Sequence, residues 1–249
     1  MTAKVCAYCK EEVRLTREHI WPNGFLKRGD FDLKFSERAG KTFRADLVIA
    51  DVCEPCNNGV LSNLDDHACQ LYDRRFSKYV EPLASVKFSY DYSKFCRWLL
   101  KVSFNSARSV ERDLEVFERH ISYILDGVRP RAFAVSTYSI APSSFKRQPD
   151  GVIEKLYPQM ARCGPVIPVS VNPRKFYQSY VTRIIQINSF AFILCLPRHS
   201  ETSVRQCQNA LRAFPGQLLH PSGEMRIGPP AMATLEAADG IDNWPEPRG

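Results

Sequence analysis

The chain has 249 residues, 44% of them hydrophobic and 24% charged, with a formal net charge of +7. That balance excludes a disordered or low-complexity protein and leaves room for one large domain or two ordinary ones. The basic excess, most of which falls after residue 80, suits an anionic partner such as nucleic acid.

Lys4, Lys10 and Glu11 interrupt any signal-like run at the N-terminus, and the apolar stretch 190–196 is too short to span a bilayer. No membrane contact is therefore expected. The nine cysteines are an odd number, and four of them sit in two C-x-x-C pairs. This argues against a disulfide framework and for a reducing, cytoplasmic setting. Cys69, Cys96, Cys163, Cys195 and Cys207 have apolar neighbours and read as small buried hydrophobes.

In chain order, residues 5–15 read as a knuckle around Cys6-Ala7-Tyr8-Cys9. Glu18-His19-Ile20 follows as a short extended piece that Pro22 ends. Asn23-Gly24 is a turn signal, and polar residues 27–41 predict a loop or hairpin. Residues 47–50 predict a second strand running into Cys53-Glu54-Pro55-Cys56. From there to residue 78 the spacing of Val60, Leu64, Ala68, Leu71 and Phe76 is helical, with Gly59 as an early blemish. Pro82 marks a boundary between residues 1–80 and 81–249. A helix is expected over 93–107 with Ser93 as cap. A second is expected over 110–125, capped by Ser109 and stopped by Gly127. Residues 132–140, 166–171, 176–187 and 189–196 predict strands, with Asn188-Ser189 as a hairpin turn. A last helix over 201–214 and an irregular tail complete the chain.

Two C-x-x-C pairs suit a tetrahedral zinc ion, because a two-residue spacer lets both sulfurs of a tight turn face one metal. Simple zinc ribbons separate their pairs by about 15–20 residues, and the interval from Cys9 to Cys53 is more than twice that. It carries an acid–histidine pair, Glu18-His19, near its start. The order Cys6-x-x-Cys9, Glu18-His19-Ile20-Trp21-Pro22, Cys53-x-x-Cys56-Asn57 resembles the zinc-bearing branch of the HNH (His-Me finger, ββα-metal) endonucleases. The resemblance covers roughly residues 5–75 and is silent on the rest.

The resemblance implies that residues 1–80 form an N-terminal ββα-metal unit with a four-cysteine zinc clamp. The spacing patterns beyond it add a helical pair and an antiparallel-strand-rich C-terminal domain, 81–249, which make the whole an α+β protein and could bind a regulatory partner or a second copy. The implied activity is hydrolysis of phosphodiester bonds in nucleic acid, DNA before RNA, as in bacterial restriction or phage-defence nucleases. Cys6, Cys9, Cys53 and Cys56 would hold the structural zinc. His19 would be the general base. Glu18 and Asn57 would hold a catalytic Mg²⁺ or Mn²⁺, since both offer hard oxygen. Asn57 is equally suited to cap the following helix, and Asn58 could take either job. Asp65, Asp66 and His67 lie two to three turns further on.

Neighbouring strand residues point to opposite faces, so Glu18 and His19 can share a site only at an irregularity or a strand end. The family also places an asparagine in the second strand to orient the base. Residues 47–52 contain none, and Asp46 and Asp51 are the nearest polar groups. Arg17, Lys27, Arg28, Lys41 and Arg44, with Lys34 and Arg38, are candidates to hold phosphates or simply a solvated face. Trp21 would stack on a base or pack in the core. The rival reading is a non-catalytic zinc module that binds nucleic acid or protein.

Overall fold

The computed structural model describes residues 5–28, 33–36, 41–43, 48–81, 84–128, 130–140, 144–147, 153–156 and 160–228. Its first strand, β1 (Leu15–His19), is followed by one helical turn, α1 (Asn23–Leu26), with Pro22 at its N-cap. The Asn23-Gly24 turn signal therefore opens a helix. Strands β2 (Leu33–Ser36) and β3 (Lys41–Phe43) form the hairpin expected of this polar stretch, and β4 (Val48–Cys53) pairs antiparallel with β1.

The helical segment that follows is interrupted. It runs as α2 (Glu54–Cys56), a π-helical turn (Asn57–Leu61), α3 (Ser62–Leu71) and a second π-helical turn (Tyr72–Phe76). Gly59, at φ −98° and ψ −105°, is the non-helical point that kinks the first turn. Glycine tolerates such a conformation because it has no Cβ.

After β5 (Val86–Ser89) comes the longest helix, α4 (Tyr92–Ser109). Its cap is Asp91, whose Oδ1 accepts from Lys94 N at 2.9 Å, rather than Ser93. An aspartate one step before the first turn is better placed for that bond. Ser109 is the last residue of α4 and gives its hydroxyl to Ser106 O, so it caps nothing downstream. The helix predicted over 110–125 is two short ones, α5 (Leu114–Glu118) and α6 (Ile121–Asp126). A tight turn at His120 separates them and lets both lie against α4. Gly127 ends α6 in the left-handed region at φ +70°.

The C-terminal strands are β6 (Ala134–Ser139), β7 (Ser144–Arg147), β8 (Ile153–Leu156) and β9 (Met160–Pro165). The strand predicted over 166–171 is absent: Pro168 lacks an N–H and cannot extend a ladder, and β9 lies just upstream. The strand predicted over 176–187 begins as α7 (Pro173–Ser179), because Asn172 caps Lys175 N and Pro173 occupies the first turn. Then β10 (Tyr180–Ile187) and β11 (Phe190–Pro197) form the expected hairpin about Asn188-Ser189. Helix α8 (Val204–Leu211) opens with a Ser203–Gln206 capping box and is shorter than predicted. Strands β12 (Gln217–Leu218) and β13 (Glu224–Ile227) close the described chain.

These elements make a mixed α+β fold with several antiparallel sheets. The main sheet has seven strands in the order β12-β6-β11-β10-β9-β2-β3, with only β2–β9 parallel. Every residue of β11, and all but the first of β10, is buried. The two faces serve different cores. Val181, Ile185, Phe192 and Leu194 face the core that includes α4. Ile184, Ala191, Ile193 and Cys195 face the one that includes Cys207 and Leu211 of α8. That is why these strands read as unbroken apolar runs rather than alternating ones.

The boundary residue Pro82 lies outside the described residues, but the core on either side of it is continuous. One cluster joins Cys6, Trp21, Phe25 and Leu64 to Phe95, Trp98, Ile185 and Phe192. Strands β2 and β3, from the first 80 residues, extend the sheet of the second part. No helix among the described residues is long and apolar enough to cross a membrane.

Candidate functional site

The four motif cysteines converge. Their Sγ atoms all lie within 4.8 Å of one another, and Cys9 Sγ is 3.6 Å from Cys53 Sγ. Around a tetrahedral zinc with Zn–S bonds of about 2.3 Å, sulfurs sit roughly 3.8 Å apart, so the cluster has the right size. An all-sulfur set selects zinc or an iron–sulfur centre over hard cations.

Local backbone bonds build this cluster. Cys6 N donates to Glu11 O, Lys10 N donates to Cys6 O, and Lys10 takes a left-handed φ of +63° to close the turn. Ala7 N reaches across to Asp51 O at 2.8 Å, and Cys53 N points at Cys6 Sγ at 3.3 Å. Burial works against the Cys6 thiolate, but the N–H groups of Cys53, Cys9 and Tyr8 outweigh it and bring the thiol down to about 7. Burial and the neighbouring sulfurs push Cys56 up.

The Glu18–His19 pair lies at the end of β1. The ladder with β4 is irregular here: Thr16 pairs with Val52 but Glu18 with Ile49, so β4 carries an extra residue opposite Arg17. Glu18 is 4% exposed, whereas His19 is half-buried. Glu18 turns towards α4, where its Oε1 meets Lys101 Nζ at 2.8 Å and Asn105 Nδ2 at 3.1 Å. Among the described residues no hydrogen bond reaches Oε2 or the His19 ring.

Asn57, the residue directly after Cys56, folds back onto the same strand. Its Nδ2 donates to Thr16 Oγ1 at 3.0 Å and to Arg17 O at 3.1 Å, and its Oδ1 accepts nothing among the described residues. Its side chain caps no helix N–H. Asn58 is exposed beside it.

Other sequence candidates have different partners. Asp51 pairs with Arg108 Nη1 at 2.7 Å instead of serving His19, and Asp46 lies outside the described residues. Asp65 pairs with Lys101 at 2.6 Å. Asp66 and His67 line a cleft with Lys94 and Arg97. Trp21 is 2% exposed and packs on Phe25 and Trp98, so it belongs to the core. Of the basic candidates, Arg17 and Lys27 are exposed. Arg28 is committed to Asp73 at 3.0 Å and Gly24 O at 2.8 Å. The Lys41, Lys34, Arg38 and Arg44 side chains lie outside the described residues.

Sequence reasoning missed Tyr8, Lys101, Asn105 and Arg108. Lys101 is 0% exposed and sits between Glu18 and Asp65. Burial opposes its charge, but the two carboxylates prevail and raise its pKa. Lys101, Asn105 and Arg108 recur at i, i+4 and i+7 in a helix that is largely buried. A polar stripe of that period on a core helix was the available signal. Comparison with family models, curated proteins and solved structures gave no match.

Proposed function

We propose that this chain is a metal-dependent HNH-type endonuclease with a structural zinc in the Cys6–Cys9–Cys53–Cys56 cluster. The observation that carries the reading is the Asn57 amide clasped to β1. The residue after the zinc clamp is thereby held against the strand that carries Glu18 and His19. Asn57 Oδ1 and Glu18 Oε2 are hard oxygens without hydrogen-bonding partners among the described residues, which fits a Mg²⁺ or Mn²⁺ ligand pair. When bound, that ion would supply charge neutralisation at the phosphate and at the leaving oxygen.

In this reading the His19 ring takes a proton from water, the water oxygen attacks phosphorus, and the bond to the leaving oxygen breaks. DNA is the proposed substrate, with Arg17 and Lys27 as exposed cations able to hold its backbone. Restriction or phage defence in the cytoplasm is the proposed setting. The C-terminal part would then engage a partner or a second copy.

The buried Glu18–Lys101 pair favours a second reading, a zinc module that binds without catalysis, because a committed carboxylate suits a structural role. The two separate on supercoiled plasmid, linear DNA and RNA, each incubated with and without Mg²⁺ or Mn²⁺. The nuclease reading expects divalent-dependent cleavage that falls about 10²–10⁴-fold in His19→Ala. Cleavage by His19→Ala at the wild-type rate would remove His19 as base. No cleavage of any substrate by zinc-loaded wild type would favour the binding module.

A further inference from the structure

Asn105 has no solvent exposure and uses its whole amide. Tyr8 OH donates to its Oδ1 at 2.7 Å, and Arg108 Nη2 donates to the same oxygen. Its Nδ2 donates to Glu18 Oε1 at 3.1 Å and to the backbone carbonyl of His19 at 3.2 Å. The orientation of the amide is chemically forced. A guanidinium can only donate, while a carboxylate and a carbonyl can only accept. The oxygen must therefore face Arg108 and the nitrogen must face β1.

Each contact falls at a telling place. His19 is the last residue of β1 paired with β4, opposite Val48, so its carbonyl lies where the ladder ends. Asn105 supplies a donor there from a different element. On Glu18 the amide and the Lys101 ammonium both address Oε1, which fixes the carboxylate and leaves Oε2 as the remaining oxygen. On the other side, Tyr8 lies between Cys6 and Cys9. Its ring sits edge-on to Phe104 at 5.4 Å and under the Arg108 guanidinium at 4.9 Å. Arg108 in turn holds Asp51 of β4 at 2.7 Å. The phenol thus has little freedom to move independently of the knuckle.

We infer that Asn105, from helix α4 outside the motif, is a positioning residue for the Glu18–His19 strand end, and that Tyr8 links it to the zinc knuckle. The inference rests on the nuclease reading for its functional meaning, while the geometry it asserts can be tested without activity.

The test uses the full, zinc-loaded chain as wild type, Asn105→Ala, Tyr8→Phe and the double variant. Arg97→Gln serves as a control: it loses the Ile124 and Leu125 carbonyls on the same helix without touching β1. Zinc content and melting curves establish folding. Divalent-dependent cleavage and the His19 ring resonances in NMR spectra are the readouts. Asn105→Ala is expected to keep its zinc and lose about 10–100-fold in kcat with KM little changed, the range seen when supporting hydrogen bonds around a metal site are cut. Tyr8→Phe should lose less, and the double variant no more than Asn105→Ala alone, because Tyr8 acts through Asn105. The His19 resonances should move in Asn105→Ala and Tyr8→Phe but not in Arg97→Gln.

A folded Asn105→Ala with wild-type kcat and unmoved His19 resonances would overturn the inference, as would additive losses in the double variant. If Asn105→Ala fails to fold, Tyr8→Phe decides by the same readouts. If wild type cleaves nothing, the nuclease reading fails, and the His19 resonances alone decide whether Asn105 positions the strand end.

Discussion

Two titratable residues, half-buried Asp65 and buried His120, make opposite demands on pH. Asp65 is raised to about 6, chiefly by burial and against the pull of Lys101. It binds its proton more tightly folded than unfolded, so its contribution to stability is fully present below about 3.8 and lost as pH rises through about 6. His120 is lowered to about 4 by burial, with Arg119 and Arg131 adding to the effect. Its contribution is present above about 6.5 and lost as pH falls through about 4. Each shift corresponds to something on the order of 3 kcal/mol, so the two largely offset across the same acidic window. The melting temperature of Asp65→Asn should therefore fall more steeply than wild type between pH 6.5 and 4. His120→Leu should show the reverse change in slope. Curves parallel to wild type for both variants would refute these assignments.

The four-cysteine cluster joins the N-terminal knuckle to the junction of β4 and α2. The knuckle touches β4 through Ala7 N and Asp51 O, and α2 is a single turn. A zinc ion bound there would neutralise the charge of sulfurs that lie within 4.8 Å of one another. Zinc binding is folding free energy in such units. Because α4 supports the knuckle through Tyr8, the cost here should be smaller than in an isolated zinc finger. A loss of about 5 kcal/mol corresponds to a fall in Tm of roughly 10–20 °C for a chain of this size. Chelation, or Cys53→Ser, is expected to produce a shift of that order with loss of one zinc per chain. A Cys53→Ser protein with stoichiometric zinc and unchanged Tm would show that the clamp is misassigned.

Across the molecule, the first 80 residues share one core with the part that follows, among the described residues. Trp21 and Phe25 pack on Trp98, and Phe76 packs on Phe95, Phe190 and Phe192. Glu18 takes its counter-charge from Lys101 in α4. A fragment of residues 1–80 would expose those rings and leave Glu18 and Asp65 without their cation. The exposed aromatic surface alone would cost about 1.5–3 kcal/mol per ring left unburied. The fragment should show no cooperative melting transition, even with zinc. A folded, zinc-bound fragment with native-like dispersion in its NMR spectrum would make residues 1–80 an autonomous domain.

The cysteine spacing, the extended piece at Glu18-His19 and the β10–β11 hairpin were legible in the chain, because each depends on residues close together in sequence. A two-residue spacer shapes a metal knuckle, a proline ends a strand, and Asn-Ser between apolar runs makes a turn. Local competition misled the reading in places. Asn172-Pro173 starts a helix where aromatic residues read as strand, and Pro168 stops pairing where valines invited it. The partners of the candidate site were not legible, because Lys101, Asn105 and Arg108 meet Glu18, His19 and Tyr8 only across more than eighty positions of chain. In sequence they are three polar residues in a helix that folding buries. Only tertiary packing decides that they face a strand end rather than water, since the low dielectric of the core demands a partner for each of them.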